Sequence, residues 1–226
     1  MGGKIPRWES ELWSYVSKGD GEHCPLYSHC QARQSGKWCV DENIERVKPL
    51  LEEHRFKLSD CDFIKPVSTC RVFQLVEMLA QAWQLRGRVR CPLVPTGLVS
   101  LADEHHPIEV RVLPLKAYHG AIWGLREGWV IQIKKNAPSA ANRFTIFHEA
   151  FHILAHCKAT PVFRRRGTVR GSFNELLADY FAICILMPRE WVKEKWTEFH
   201  DLGKMAELFD VPKPAMCVSL KRLGLI

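Results

Sequence analysis

The sequence predicts an α+β fold, mainly helical, with a small three-stranded antiparallel sheet and a small cysteine-containing unit at the N-terminus. Three observations carry this prediction. Long stretches place apolar residues at helical spacing, as in RVFQLVEMLAQAWQLR and SAANRFTIFHEAFHILAHC. Between them lie three short β-prone runs, EVRVLPL, YHGAIWGL and GWVIQIKK, separated by turn residues. Five of the nine cysteines, Cys24, Cys30, Cys39, Cys61 and Cys70, crowd into the first third of the chain.

The composition suits that class. With 226 residues, 46% hydrophobic and 25% charged, the chain can bury one sizeable core, with a small appendage. Its longest apolar runs, such as FAICILMP, fall short of the roughly 20 residues that span a bilayer, so no membrane span is expected. The N-terminus has no apolar signal core. Gly2 would suit myristoylation, but Pro6 stands where Ser or Thr is wanted, so a cytoplasmic protein is expected. There the cysteines would be free thiols or metal ligands rather than disulfides, with Cys91, Cys157, Cys184 and Cys217 as buried small apolar residues. The net charge of +7 suits an acidic or nucleic-acid partner, or a solvated surface.

Taken in order, residues 1–68 read as a separate unit around the loop KGDGEHCPLYSHCQARQSGKWC, and residues 69–226 as the main domain. The main domain opens with a helix over 71–86 that stops at Gly87, a C-cap residue. A short helix in LVSLADEHH leads to the three β-prone runs. Ser139 is the expected N-cap of the next helix, and Ser172 that of the following one, which Pro188 ends. A helix over about 189–198 and two short ones near 204–209 and 213–222 complete the chain.

The chemistry is concentrated in FHEAFHILAH. His148 and His152 lie four apart, so on a helix they share a face one turn apart and both imidazoles can reach one metal ion. Glu149 follows the first histidine, which sets its carboxylate beside the metal, where it can take a proton from a polarised water and pass it to a leaving amine. Zinc would bring the pKa of such a water towards roughly 7. Catalytic zinc usually takes three protein ligands, and Glu175 supplies the third; Asp179, one turn on, can accept the remaining ring N–H of a ligating histidine. His156 is the alternative third ligand, but it lies roughly 12 Å from His148 along the helix. The longer motif HExxHxxGxxH fails, because Ala155 and Lys158 occupy its Gly and His positions.

These residues resemble a family. RFTIFHEAFHILAH followed by ELLADYFAICILMP is similar to the ImmA/IrrE metallopeptidases. Arg143, Phe144 and Thr145 match the lead-in to HExxH, and Glu175, Ala178, Asp179, Phe181 and Ala182 match the second helix. Leu186, Met187 and Pro188 match its stop. Ala150 and Phe151 depart from the Leu and Gly common there, and a bulky Phe151 would alter how the motif helix packs. By order of elements the resemblance spans about 71–226. It implies a zincin-like domain and a zinc-dependent endopeptidase that acts on a helix-turn-helix transcriptional repressor, in stress response or mobile-element control.

Outside the resemblance, Cys24, Cys30, Cys39 and Cys61 form the preferred ligand set for a structural zinc or an iron-sulfur centre in the N-terminal unit, with Cys70, His23 and His29 as further ligands. Their spacing lacks paired CxxC elements, and free thiols are the alternative. Arg164, Arg165, Arg166 and Arg170 lie between the two ligand helices and could receive an acidic substrate segment or simply face solvent. Tyr118 and His119 could stabilise an oxyanion. The last two helices loosely resemble a helix-turn-helix, yet the second offers only Lys221 and Arg222, which favours packing over DNA binding. The rival to an endopeptidase is therefore a non-cleaving regulatory module of the same fold that binds DNA or a repressor.

Overall fold

The computed structural model of the chain describes residues 6–18, 58, 61, 71–115, 120–159 and 169–226, with side chains from 174 onward in the last of these segments. Helix α1 covers Arg7–Lys18 and α2 Arg71–Arg86. A 3-10 segment, Thr96–Ala102, precedes β1 (Ile108–Leu113), β2 (Gly120–Leu125) and β3 (Gly128–Lys134). Helices α3 (Ser139–Lys158), α4 (Val169–Leu186), α5 (Arg189–Phe199), α6 (Leu202–Phe209) and α7 (Lys213–Arg222) follow. No described helix is long and apolar enough to cross a membrane.

The sheet is mixed, not antiparallel. Its order is β1-β3-β2, with β1 parallel and β2 antiparallel to β3. A meander would have put β2 in the middle. Instead β3, the strand with the most buried residues, takes the centre, where both neighbours shield it: Val130, Ile131 and Ile133 are buried, whereas β2 ends in the exposed Trp123 and Leu125. The register sets Ile131 and Ile133 beside Ile122 and Gly120, and α3 packs across β3 and β2 on that face.

Helix α3 is the hub. Besides the sheet it touches the 3-10 segment, α4 and α1, and α2 lies against α4 and α1. A single cluster of buried apolar residues runs through all of these elements, and through α5, α6 and α7. Helix α1 contributes Leu12, Trp13, Tyr15 and Val16 to it, and its Glu11 takes two hydrogen bonds from Arg71 at 3.0 Å each. The expected boundary near residue 68 falls outside the described residues.

Phe151 shows how this core is tied together. It is fully buried, with its ring centroid 6.0 Å from Trp13 of α1 and 5.6 Å from Phe181 of α4. The bulkier of the two residues that depart from the family pattern is thus the packing point of three helices. Truncating so large a core side chain leaves a cavity, so Phe151→Ala is expected to lose about 3–5 kcal/mol of stability in urea unfolding. A loss below about 1 kcal/mol would mean that the three helices close up around the gap.

Several local expectations change. Ser139 does not cap α3: Pro138 holds the N-cap position, and the Ser139 hydroxyl donates to Asp210 Oδ2 at 2.6 Å. Helix α4 starts at Val169, so Ser172 lies within it. The helix expected in LVSLADEHH is the 3-10 segment, ended by Asp103, which accepts from the backbone of His105 and His106 and from the Trp129 indole at 2.9 Å. The last two helices pack into the core, as expected: α7 buries every residue from Pro214 to Leu220. Arg222 is not a DNA-facing side chain, because it is buried and donates to Cys184 Sγ at 2.8 Å.

The cysteines also differ from expectation. Cys61 and Cys217 form a disulfide, with Cα atoms 5.9 Å apart across 156 residues of sequence. Cys61 is thereby engaged and leaves the proposed set of thiol ligands; Cys24, Cys30, Cys39 and Cys70, with His23 and His29, lie outside the described residues. Cys184 is buried as expected, but Cys91 and Cys157 are exposed.

Candidate metal centre

The site forms where α3 crosses α4. Each helix brings two functional side chains spaced by four residues: His148 and His152 from α3, Glu175 and Asp179 from α4. Four-residue spacing stacks side chains on one face, and the packing of the two helices turns those faces towards each other.

His148 Nε2 and His152 Nε2 stand 3.0 Å apart. Glu175 reaches both, with Oε2 at 3.4 Å from His148 Nε2 and Oε1 at 3.4 Å from His152 Nε2. One ligand atom from each residue lies within 4.8 Å of the others. These separations fit zinc: bonds of about 2.0–2.1 Å in tetrahedral geometry place neighbouring donors roughly 3.3 Å apart. Two imidazole nitrogens and one carboxylate are also a donor set that catalytic zinc uses, with the fourth position open. Asp179 accepts the His148 Nδ1–H at 2.7 Å, which turns Nε2 towards the other two donors.

The electrostatics favour a cation at this point. Burial opposes charge on His148, yet the carboxylates of Asp179, Glu175 and Glu149 raise its pKa well above the usual histidine value. A partly buried cluster with this excess of carboxylate draws in positive charge, and a divalent ion supplies it more fully than one proton. Asp179→Asn keeps the size of the side chain but weakens the acceptor, so zinc affinity is expected to fall about 10–100-fold in a calorimetric titration. An unchanged affinity would show that Asp179 does not orient the ligand.

Glu149 is buried, 7% exposed, and lies beside the cluster at the start of β2. Its Oε1 is 3.1 Å from the point that a Cβ on Gly120 would occupy. His156 stands apart from the donors, exposed and edge-on to Trp129 at 5.1 Å. Tyr118, His119, Arg164, Arg165 and Arg166 lie outside the described residues, as does the side chain of Arg170. Phe151 points into the core, so the departure from the family pattern leaves the donor geometry intact.

A comparison against known families places this site within a family domain. A model of the Peptidase_M78 family, the IrrE N-terminal-like domain, matches residues 103–221, more than half of the 226 residues. The chain belongs to this family. The match takes in the sheet, the metal centre and nearly all of the C-terminal helices, and begins at Asp103 rather than at α2. No curated protein sequence matches the chain. As an IrrE-like domain it has the architecture of a possible metallopeptidase, and its His148, His152 and Glu175 form the one cluster among the described residues able to hold a metal ion.

One residue at the site was not marked out in the sequence. Gly120 sits against Glu149, and its only signal there is a small residue within a β-prone run.

Proposed function

We propose that the protein is a zinc-dependent endopeptidase. The observation that carries this reading is the convergence of His148, His152 and Glu175 donors at zinc spacing, with the buried Glu149 carboxylate next to them. A bound zinc ion would supply Lewis acidity, polarising the scissile carbonyl and acidifying a water.

The chain's own residues account for the rest. His148, His152 and Glu175 hold the ion, and Asp179 keeps the His148 ring in the tautomer that presents Nε2. Glu149 accepts the proton of the attacking water and returns it to the departing amine, so one carboxylate serves as base and then acid. Strand β2 supports binding of an extended peptide: it is a sheet edge beside Glu149, hydrogen-bonded within the described residues on its β3 side, and an edge strand can take up an added strand. The substrate proposed is a protein, and, by the ImmA/IrrE resemblance, a helix-turn-helix repressor.

The test is cleavage of a fluorescence-quenched peptide library and of a candidate repressor by the zinc-loaded protein. Wild type is expected to cleave and Glu149→Gln not to, with equal zinc content. Equal rates for the two would remove Glu149 from the chemistry. Repressor or DNA binding by a zinc-loaded wild type that cleaves nothing would establish the regulatory module instead.

A further inference from the structure

Gly120 opens β2 where the sheet edge meets the helix bearing His148, Glu149 and His152. The register pairs it with Ile133, and alternate residues of a strand share a face. A side chain at 120 would therefore point, like Ile122 and Ile133, towards α3. Glycine leaves that space to the helix. A Cβ built there comes 2.2 Å from Thr145 Cγ2 and 3.1 Å from Glu149 Oε1. The first distance is shorter than any real contact, and the second is tight.

Thr145 and Glu149 are one helical turn apart on the same face. The threonine is not free to yield. Its hydroxyl donates to the Ala141 carbonyl at 2.9 Å, and that bond selects one of the two rotamers open to a helical threonine. The strand backbone at residue 120 thus rests on the Thr145 methyl and abuts the Glu149 carboxylate. The atoms nearest to the added Cβ belong to Thr145, Glu149 and Gln132, not to the metal ligands.

The geometry points to Gly120 and Thr145 as a positioning pair that sets the height of β2 above α3 and so seats the Glu149 carboxylate for proton transfer. This inference rests on the hydrolase reading. A methyl group at 120 must lift the strand or push the carboxylate aside. Pushing it aside moves the proton acceptor by on the order of an ångström, and lifting the strand takes away the surface against which it is seated; misplacement of that size costs up to about 100-fold in rate.

The test is a cycle of four zinc-loaded proteins: wild type, Gly120→Ala, Thr145→Ser and the double variant. Serine keeps the hydroxyl bond to Ala141 and removes the methyl that a Cβ at 120 would strike. Zinc content, melting temperature, kcat and KM on the peptide library are measured for each. Gly120→Ala is expected to keep its zinc, to melt lower and to lose on the order of 10–100-fold in kcat with little change in KM. Thr145→Ser alone should lose less, and the double variant should recover most of both the rate and the melting temperature. Wild-type kcat in Gly120→Ala overturns the inference. So does a double variant that melts normally but cleaves no faster than Gly120→Ala. If Gly120→Ala does not fold, a double variant that folds and cleaves supports the pair, and one that folds without cleaving overturns it. Should the zinc-loaded wild type cleave nothing, the hydrolase reading itself falls, and the melting temperatures still report separately on the strand-to-helix contact.

Discussion

Replacing Glu149 by glutamine is expected to cut peptide hydrolysis about 10²–10⁴-fold, the usual worth of a positioned general base, with no loss of bound zinc. The amide matches the carboxylate in size, so packing against Gly120 is preserved. It cannot accept a proton from water. Because Glu149 is buried beside the donors rather than among them, the effect should fall on kcat and leave KM nearly unchanged, as for a group that acts only in the transition state. Steady-state kinetics beside zinc analysis checks this. Loss of zinc along with activity would mean that Glu149 belongs to the ligand set.

His152→Ala is expected to have the opposite signature, losing the metal first and activity as a consequence. It removes one of three donors whose Nε2 and carboxylate oxygens lie 3.0–3.4 Å apart. Two remaining protein ligands fall short of the three that catalytic zinc usually takes. Because zinc binds the folded site, the metal should raise the melting temperature of wild type and do so far less in the variant. A thermal shift recorded with and without zinc reads this directly. An equal shift in both proteins would place the ion elsewhere.

Much of the site can be read from the sequence, because its geometry is helical and local. His148 and His152 at a four-residue interval, and Glu175 and Asp179 at the same interval on the next helix, need only the helical repeat to fall on single faces. The crossing of α3 and α4 then brings the faces together. The ends of α2 and the two short C-terminal helices are legible for the same reason, through apolar spacing that matches buried residues such as Val72, Leu75, Val76 and Leu79.

What depends on contacts between distant segments is not legible in that way. Three β-prone runs in a row do not say which becomes central, and burial of Val130, Ile131 and Ile133 decides it in favour of β3. The Cys61–Cys217 pair joins positions 156 residues apart, so cysteine spacing carries no trace of it. Ser139 looks like a cap until Asp210, from the far end of the chain, takes its hydroxyl hydrogen. Phe151 looks like a disturbance of the motif until Trp13 and Phe181 are seen around it. Gly120 acquires meaning only when the strand is laid on Thr145 and Glu149.

The most direct measurement of the central claim is hydrolysis of the peptide library as zinc is returned to the chelator-stripped protein. The account predicts no cleavage without metal, a rise in rate that saturates at one zinc per chain, and no rise in a Glu149→Gln protein that takes up the same zinc. Cleavage that survives removal of the metal, or a wild type that binds one zinc and hydrolyses nothing, would contradict it.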